Sequence, residues 1–77
     1  MNGETWALLS AYASFLSQLG QRKEAQHLTL VLHPLEPAGR DLSQAMSTLE
    51  GRGLITGYRL TLQGLQLAED MAKAADL

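Results

Sequence analysis

The side chains that could do chemistry are few in this sequence, and most of them are placed where they cannot act together. His27 and His33 are the only histidines. Six residues apart, they would point about 240° from one another around a helix, so they do not share a face for a metal ion. Ser10, Ser14 and Ser17 fall on one helical stripe, yet no base lies at a spacing that could activate any of them. Close packing of small residues is the better account of that stripe. Glu69 and Asp70 are adjacent and face different ways, as solvated surface residues do, rather than forming an acid–base pair. Gly51, Gly53 and Gly57 surround no Lys-Ser/Thr pair, so they form no phosphate loop. With no cysteine in the chain, neither a thiolate nucleophile nor a Cys/His metal cluster is available. The expectation is a protein that is not an enzyme and needs no cofactor.

Size points the same way. A chain of 77 residues buries only about 60–65% of the surface its unfolded form exposes, which leaves a thin core with no room for a walled pocket. Hydrophobic residues make up 45% of the chain and charged residues 18%, a globular composition. One domain spanning residues 1–77 is expected. The net charge of −2 provides no global field toward nucleic acid or an anionic membrane. No stretch approaches the roughly 20 apolar residues of a membrane span. The opening Met1-Asn2-Gly3-Glu4 lacks the basic start of a signal peptide, and the cytoplasm is the expected compartment.

The elements that position these residues follow from periodicity. Thr5 to Leu19 predicts a helix with Leu8, Tyr12, Phe15 and Leu19 on one stripe, widened by Leu9, Ala13 and Leu16. Ala7, Ser10, Ala11, Ser14, Ser17 and Gln18 would form its opposite face. Those fifteen residues contain no charge, although a surface helix normally solvates its outer face with Lys and Glu. The segment is therefore either a central core helix or one shared with a second chain, through Trp6, Leu9, Tyr12, Ala13 and Leu16. Gly20 ends it. Gln21 to His33 predicts a second helix with Ala25, Leu28, Val31 and Leu32 inward, stopped by Pro34. After a stiff connector to Gly39, a third helix runs to Glu50 with Leu42, Ala45, Met46 and Leu49 buried. Leu54 to Thr61 predicts a very short hairpin around Thr56-Gly57. Thr61 then caps a last helix from Leu62 to about Ala75.

One string is more specific. Leu49-Glu50-x-Arg52-Gly53-Leu54-Ile55 is followed by Tyr58-Arg59-Leu60-Thr61-x-x-Gly64 and Leu67-Ala68-Glu69. Leu49 can seat a helix on the core, Gly53 lets the chain reverse, Leu54 and Leu60 anchor two strands, and Thr61 caps the next helix. Over residues 42–69 this order resembles winged-helix regulators of the MarR and PadR kind. The resemblance implies a mainly α, compact winged-helix-like domain of four helices with one very short β-hairpin. It also implies a small transcriptional regulator that binds double-stranded DNA as a homodimer. Helix 38–51 would be its recognition helix, with Ser43, Gln44, Ser47 and Thr48 toward the major groove, Arg40 at its entrance and Arg59 on a phosphate from the wing.

A second resemblance covers residues 5–51. Ala13, Leu16, Gly20, Ala25 and Pro37 fall at tetratricopeptide spacing, and Leu42, Ala45, Met46 and Leu49 repeat the spacing of Leu8, Ala11, Tyr12 and Phe15. It is similar to the small helical chaperones of type III secretion systems. That implies an all-α fold of helical hairpins and a non-enzymatic protein-binding module, a chaperone or a phage-type inhibitor, covering an apolar partner surface through helix 5–19. Residues 54–61 separate the two: a hairpin fits the winged helix, a continuous helix fits the repeat.

Overall fold

The computed structural model describes residues 1–75. Its first helix, α1 (Gly3–Gln18), begins where the Asn2 side chain accepts the Thr5 N–H at 2.8 Å, with Glu4 in the positive first turn. It ends at Gly20, whose φ of 84° is open to glycine at no steric cost. The Gly20 N–H reaches the Ser17 carbonyl and the Gln21 N–H reaches that of Leu16, both at 3.0 Å. This closure satisfies two carbonyls that the helix end would otherwise orphan. The chain reverses into α2 (Arg22–Leu32), and Pro34 sits in the single 3-10 turn (His33–Leu35) that follows.

Beyond the connector come α3 (Gly39–Gly51), the strands β1 (Ile55–Thr56) and β2 (Arg59–Leu60), and α4 (Leu62–Ala74). The strands pair antiparallel, Ile55 opposite Leu60 and Thr56 opposite Arg59. The turn falls on Gly57-Tyr58, one residue later than Thr56-Gly57, because Gly57 takes the positive φ (64°) that a two-residue hairpin loop needs at its first position. The molecule is mainly α and winged-helix-like: three helices, a two-strand hairpin, then a fourth helix. Residues 55–56 and 59–60 are extended, so the all-helical alternative is not the architecture.

The junction of α3, hairpin and α4 explains the Gly53…Thr61-x-x-Gly64 pattern physically. Gly53 (φ 74°) closes α3 as Gly20 closes α1, with the Leu54 N–H reaching the Leu49 carbonyl at 3.0 Å. The Thr61 hydroxyl donates to the Gly53 carbonyl at 2.6 Å and accepts the Gly64 N–H at 3.1 Å. One hydroxyl thus ties the end of α3 to the start of α4.

Helix α1 is the hub, and α2, α3, α4 and β2 all pack on it, while α2 and α3 scarcely touch one another. Trp6, Ala7, Leu8 and Leu9 are four consecutive buried residues, so the helix is enclosed on every side near its start. That burial accounts for the absence of charge only there, since Ser14, Ser17 and Gln18 are exposed. It also corrects two sequence expectations. Ala7, assigned to the outer face, is buried, and Leu19, assigned to the inner stripe, is 57% exposed. The neighbours of α1 change along its length, so a single stripe does not describe it.

The interface set is corrected for the same reason. Trp6, Leu9, Ala13 and Leu16 are buried in the chain's own core, and Tyr12 is half-buried against it. The four buried side chains are not free to cover a partner, while Tyr12 keeps part of its surface open. The large apolar side chains that do stand in solvent include Leu19, Leu30, Leu35, Tyr58 and Leu62. Among the described residues no helix is long and apolar enough to cross a membrane.

Candidate nucleic-acid interface

Helix α3 divides cleanly between fold and surface. Ala45 and Leu49 are buried, with Leu42 and Met46 half-buried beside them. Arg40, Ser43, Gln44 and Ser47 lie at i, i+3, i+4 and i+7 and are all exposed, so these four form one outward stripe. Thr48 departs from the expectation. It is half-buried, and its hydroxyl donates to the Gln44 carbonyl of its own helix at 3.0 Å, which turns it away from any external acceptor.

The hairpin adds Tyr58, 91% exposed at the turn, and the exposed Arg59. Tyr58 stands over a hollow of about 260 Å³ between α1 and α3, beside Ala11 and Ser14 on one wall and Leu42 and Met46 on the other. Tyr58 therefore lies along the half-buried Leu42–Met46 flank of α3. The N-terminus of α3 has no side-chain cap, because Ala38 occupies that position. Its first-turn N–H groups are left to solvent or to an incoming anion.

Sequence reasoning missed the role of Glu4. The start of α1 packs on α3, where Gly3 lies against Ala45 and the Asp41 carbonyl with ordinary contact room even for an added Cβ. This brings the Glu4 carboxylate to the flank of the outward stripe, in a hollow of about 230 Å³ shared with Asp41, Gln44 and Thr48. One Glu4 oxygen is shielded from solvent and accepts no hydrogen bond among the described residues; the Arg52 guanidinium lies 3.5 Å away. Arg52 is thus held toward Glu4 rather than toward an external phosphate. The charges around α3 nearly cancel: Arg40 and Arg52 against Glu4, Asp41 and Glu50. No local signal in the sequence gives this placement, because it arises only from the docking of two distant segments.

His27 and His33 are both exposed. Among the described residues no three His, Cys, Asp or Glu side chains converge as a metal-ligand group. Comparison with protein-family models, with curated proteins and with solved structures gives no match.

A local prediction follows from the Glu4–Arg52 pair. Glu4→Gln should change stability by less than about 1 kcal/mol, since both side chains are partly solvated. If α3 faces DNA, the same change releases Arg52 and removes a carboxylate from the flank. Affinity for duplex DNA should then rise several-fold, and the slope of log K against log[salt] should steepen by about 0.9, the value of one added phosphate contact. A fluorescence-anisotropy salt series on both proteins reads this directly.

Proposed function

We propose that this chain is a small winged-helix-like DNA-binding module that regulates transcription by occupying a short duplex site. The observation that carries the reading is the outward stripe of α3. Arg40, Ser43, Gln44 and Ser47 have no part in the core, and the hairpin adds the exposed Tyr58 and Arg59, with Tyr58 beside the Leu42–Met46 flank of the same helix. Hydroxyl and amide side chains at this spacing suit base edges, with Gln44 matched to adenine through its paired donor and acceptor. Arg40 and Arg59, both exposed, would neutralise backbone phosphates. A cytoplasmic homodimer would read two half-sites related by its two-fold axis. Its contact would involve the exposed apolar side chains rather than the buried face of α1.

The near-cancellation of charge around α3 supports a second reading, in which the same face binds a protein. Affinity for DNA comes largely from phosphate neutralisation, and here Glu4 and Asp41 offset the arginines.

The test is a salt-dependent titration of duplex DNA with three variants. Arg40→Ala and Arg59→Ala should weaken binding to every sequence and each reduce the salt slope by about 0.9. Gln44→Ala should keep the slope and lose about 1–3 kcal/mol of discrimination at one base pair. Identical behaviour of all three variants, or binding too weak to show a slope, would favour the protein-binding reading.

A further inference from the structure

Asn2 is the only asparagine in the chain, and a glycine follows it. In water that pair can react with itself. The Gly3 nitrogen attacks the Asn2 Cγ, a new N–Cγ bond forms, and the Cγ–Nδ2 bond breaks. The Gly3 amide proton leaves with the Asn2 amide group as ammonia. Water then opens the five-membered imide. Opening at Cγ gives aspartate, and opening at the main-chain carbonyl gives isoaspartate, whose backbone runs through Cβ and is one methylene longer. Glycine, with no Cβ, leaves the attacking nitrogen less shielded than any other residue would.

The fold decides when this happens. Ring closure needs Cγ, Cβ, Cα, the carbonyl carbon and the Gly3 nitrogen in one plane, and the Asn2 ψ of 167° holds the nitrogen well out of it. Two hydrogen bonds keep that geometry. The Asn2 Oδ1 accepts the Thr5 N–H at 2.8 Å, and the Asn2 main-chain carbonyl accepts the Trp6 N–H at 3.0 Å. Rotation about ψ carries the carbonyl off Trp6, and the side chain must leave Thr5 to meet Gly3. Both bonds belong to the first turn of α1, and a helix end opens without the rest of a domain unfolding. Asn2 is exposed, so water reaches it as soon as the turn opens.

We propose that Asn2–Gly3 is a self-modification site gated by the first turn of α1: the closed cap preserves the amide, and each opening of the turn lets it convert irreversibly to a carboxylate. The product carries one negative charge more than the parent, at a point where Gly3 lies against the Asp41 carbonyl of α3. On the DNA-binding reading that charge opposes phosphate contact, but the reaction itself does not rest on that reading.

The experiment is incubation of the full chain at mildly alkaline pH, which speeds attack by the Gly3 nitrogen, in buffer and in denaturing guanidinium chloride. Mass spectrometry of the peptide containing Asn2 follows the replacement of its amide by a carboxylate. The folded chain should react about ten- to a hundredfold more slowly than the unfolded one, the combined effect of a cap and a helix hydrogen bond. Equal rates would show that the cap does not gate the site. A slowing beyond about a thousandfold would show that the whole domain must unfold first. Either result overturns the proposal. Gly3→Ala tests the nucleophile: its Cβ meets Ala45 and the Asp41 carbonyl only at 3.5 Å, so the variant folds. The methyl group shields the nitrogen, and conversion in guanidinium chloride should fall several-fold. An unchanged rate in that variant would also overturn the proposal.

Discussion

Gly64→Ala should destabilise this chain by about 3 kcal/mol, the reverse of what helix propensity predicts. In an open helix the change gains about 1 kcal/mol, because glycine loses the most backbone entropy on folding. Here a Cβ on Gly64 would meet the Leu54 carbonyl oxygen at 1.9 Å and its carbon at 2.8 Å. Those are backbone atoms, and they cannot rotate aside as a side-chain tip would. To admit the methyl group, α4 must lift from the base of the hairpin, which stretches the Thr61 N–H···O=C Leu54 bond of 3.1 Å. Overpacking of this kind typically costs about 1–3 kcal/mol, and more where backbone must move. Total stability is about 0.05–0.15 kcal/mol per residue, or about 4–12 kcal/mol for this chain, so the variant would lose between about a quarter and three-quarters of it. A urea midpoint measured by circular dichroism checks it. Gly51→Ala is the internal control: nothing lies within 4 Å of that added Cβ, and the change should be neutral or slightly stabilising. An unchanged midpoint for Gly64→Ala would mean that α4 does not approach Leu54 so closely.

Trp6→Ala should cost about as much, roughly 3–5 kcal/mol, through the cavity left by a large buried ring. The informative variant is Trp6→Phe. The indole N–H donates to the Leu32 carbonyl at 2.7 Å in a buried setting, linking α1 to the end of α2. Leu32 is the last residue of its helix, so its carbonyl has no intrahelical donor. Phenylalanine keeps most of the packing and leaves that oxygen without its partner, at about 1–3 kcal/mol. The bond also anchors the chain just before the Pro34 connector, and so fixes where α3 begins. Thermal unfolding of the three proteins separates the terms. If Trp6→Phe is as stable as the parent, the indole bond contributes nothing, and the connector is held by packing alone.

Much of this fold was legible because its punctuation is chemical. Gly20 and Gly53 end helices by taking positive φ, Pro34 stops α2, Thr61 caps α4, and Gly57 turns the hairpin. Each of these acts within a few residues, where a sequence can be read directly. The face of α3 was legible too, since Leu42, Ala45, Met46 and Leu49 keep one period against a single core. The reading failed where the outcome depends on several partners at once. Helix α1 touches every other helix, so its burial follows its neighbours rather than one 3.6-residue stripe. Trp6, Leu9, Ala13 and Leu16 looked like an interface for that reason, although the uncharged run had equally suggested a central helix. The placement of Glu4 beside Gln44 was hidden for a related reason: it arises from a contact between segments about forty residues apart in the chain.

The central claim is that the outward face of α3 and the hairpin tip meet duplex DNA. It is tested most directly by adding a short mixed-sequence duplex to the ¹⁵N-labelled chain at low salt and mapping the amide shifts. The account predicts shifts concentrated in residues 39–51 and 56–60, fading as salt is raised. Shifts confined to α2 and α4, or no shifts at a salt concentration low enough to permit non-specific binding, would contradict it and make the α3 face a surface for protein.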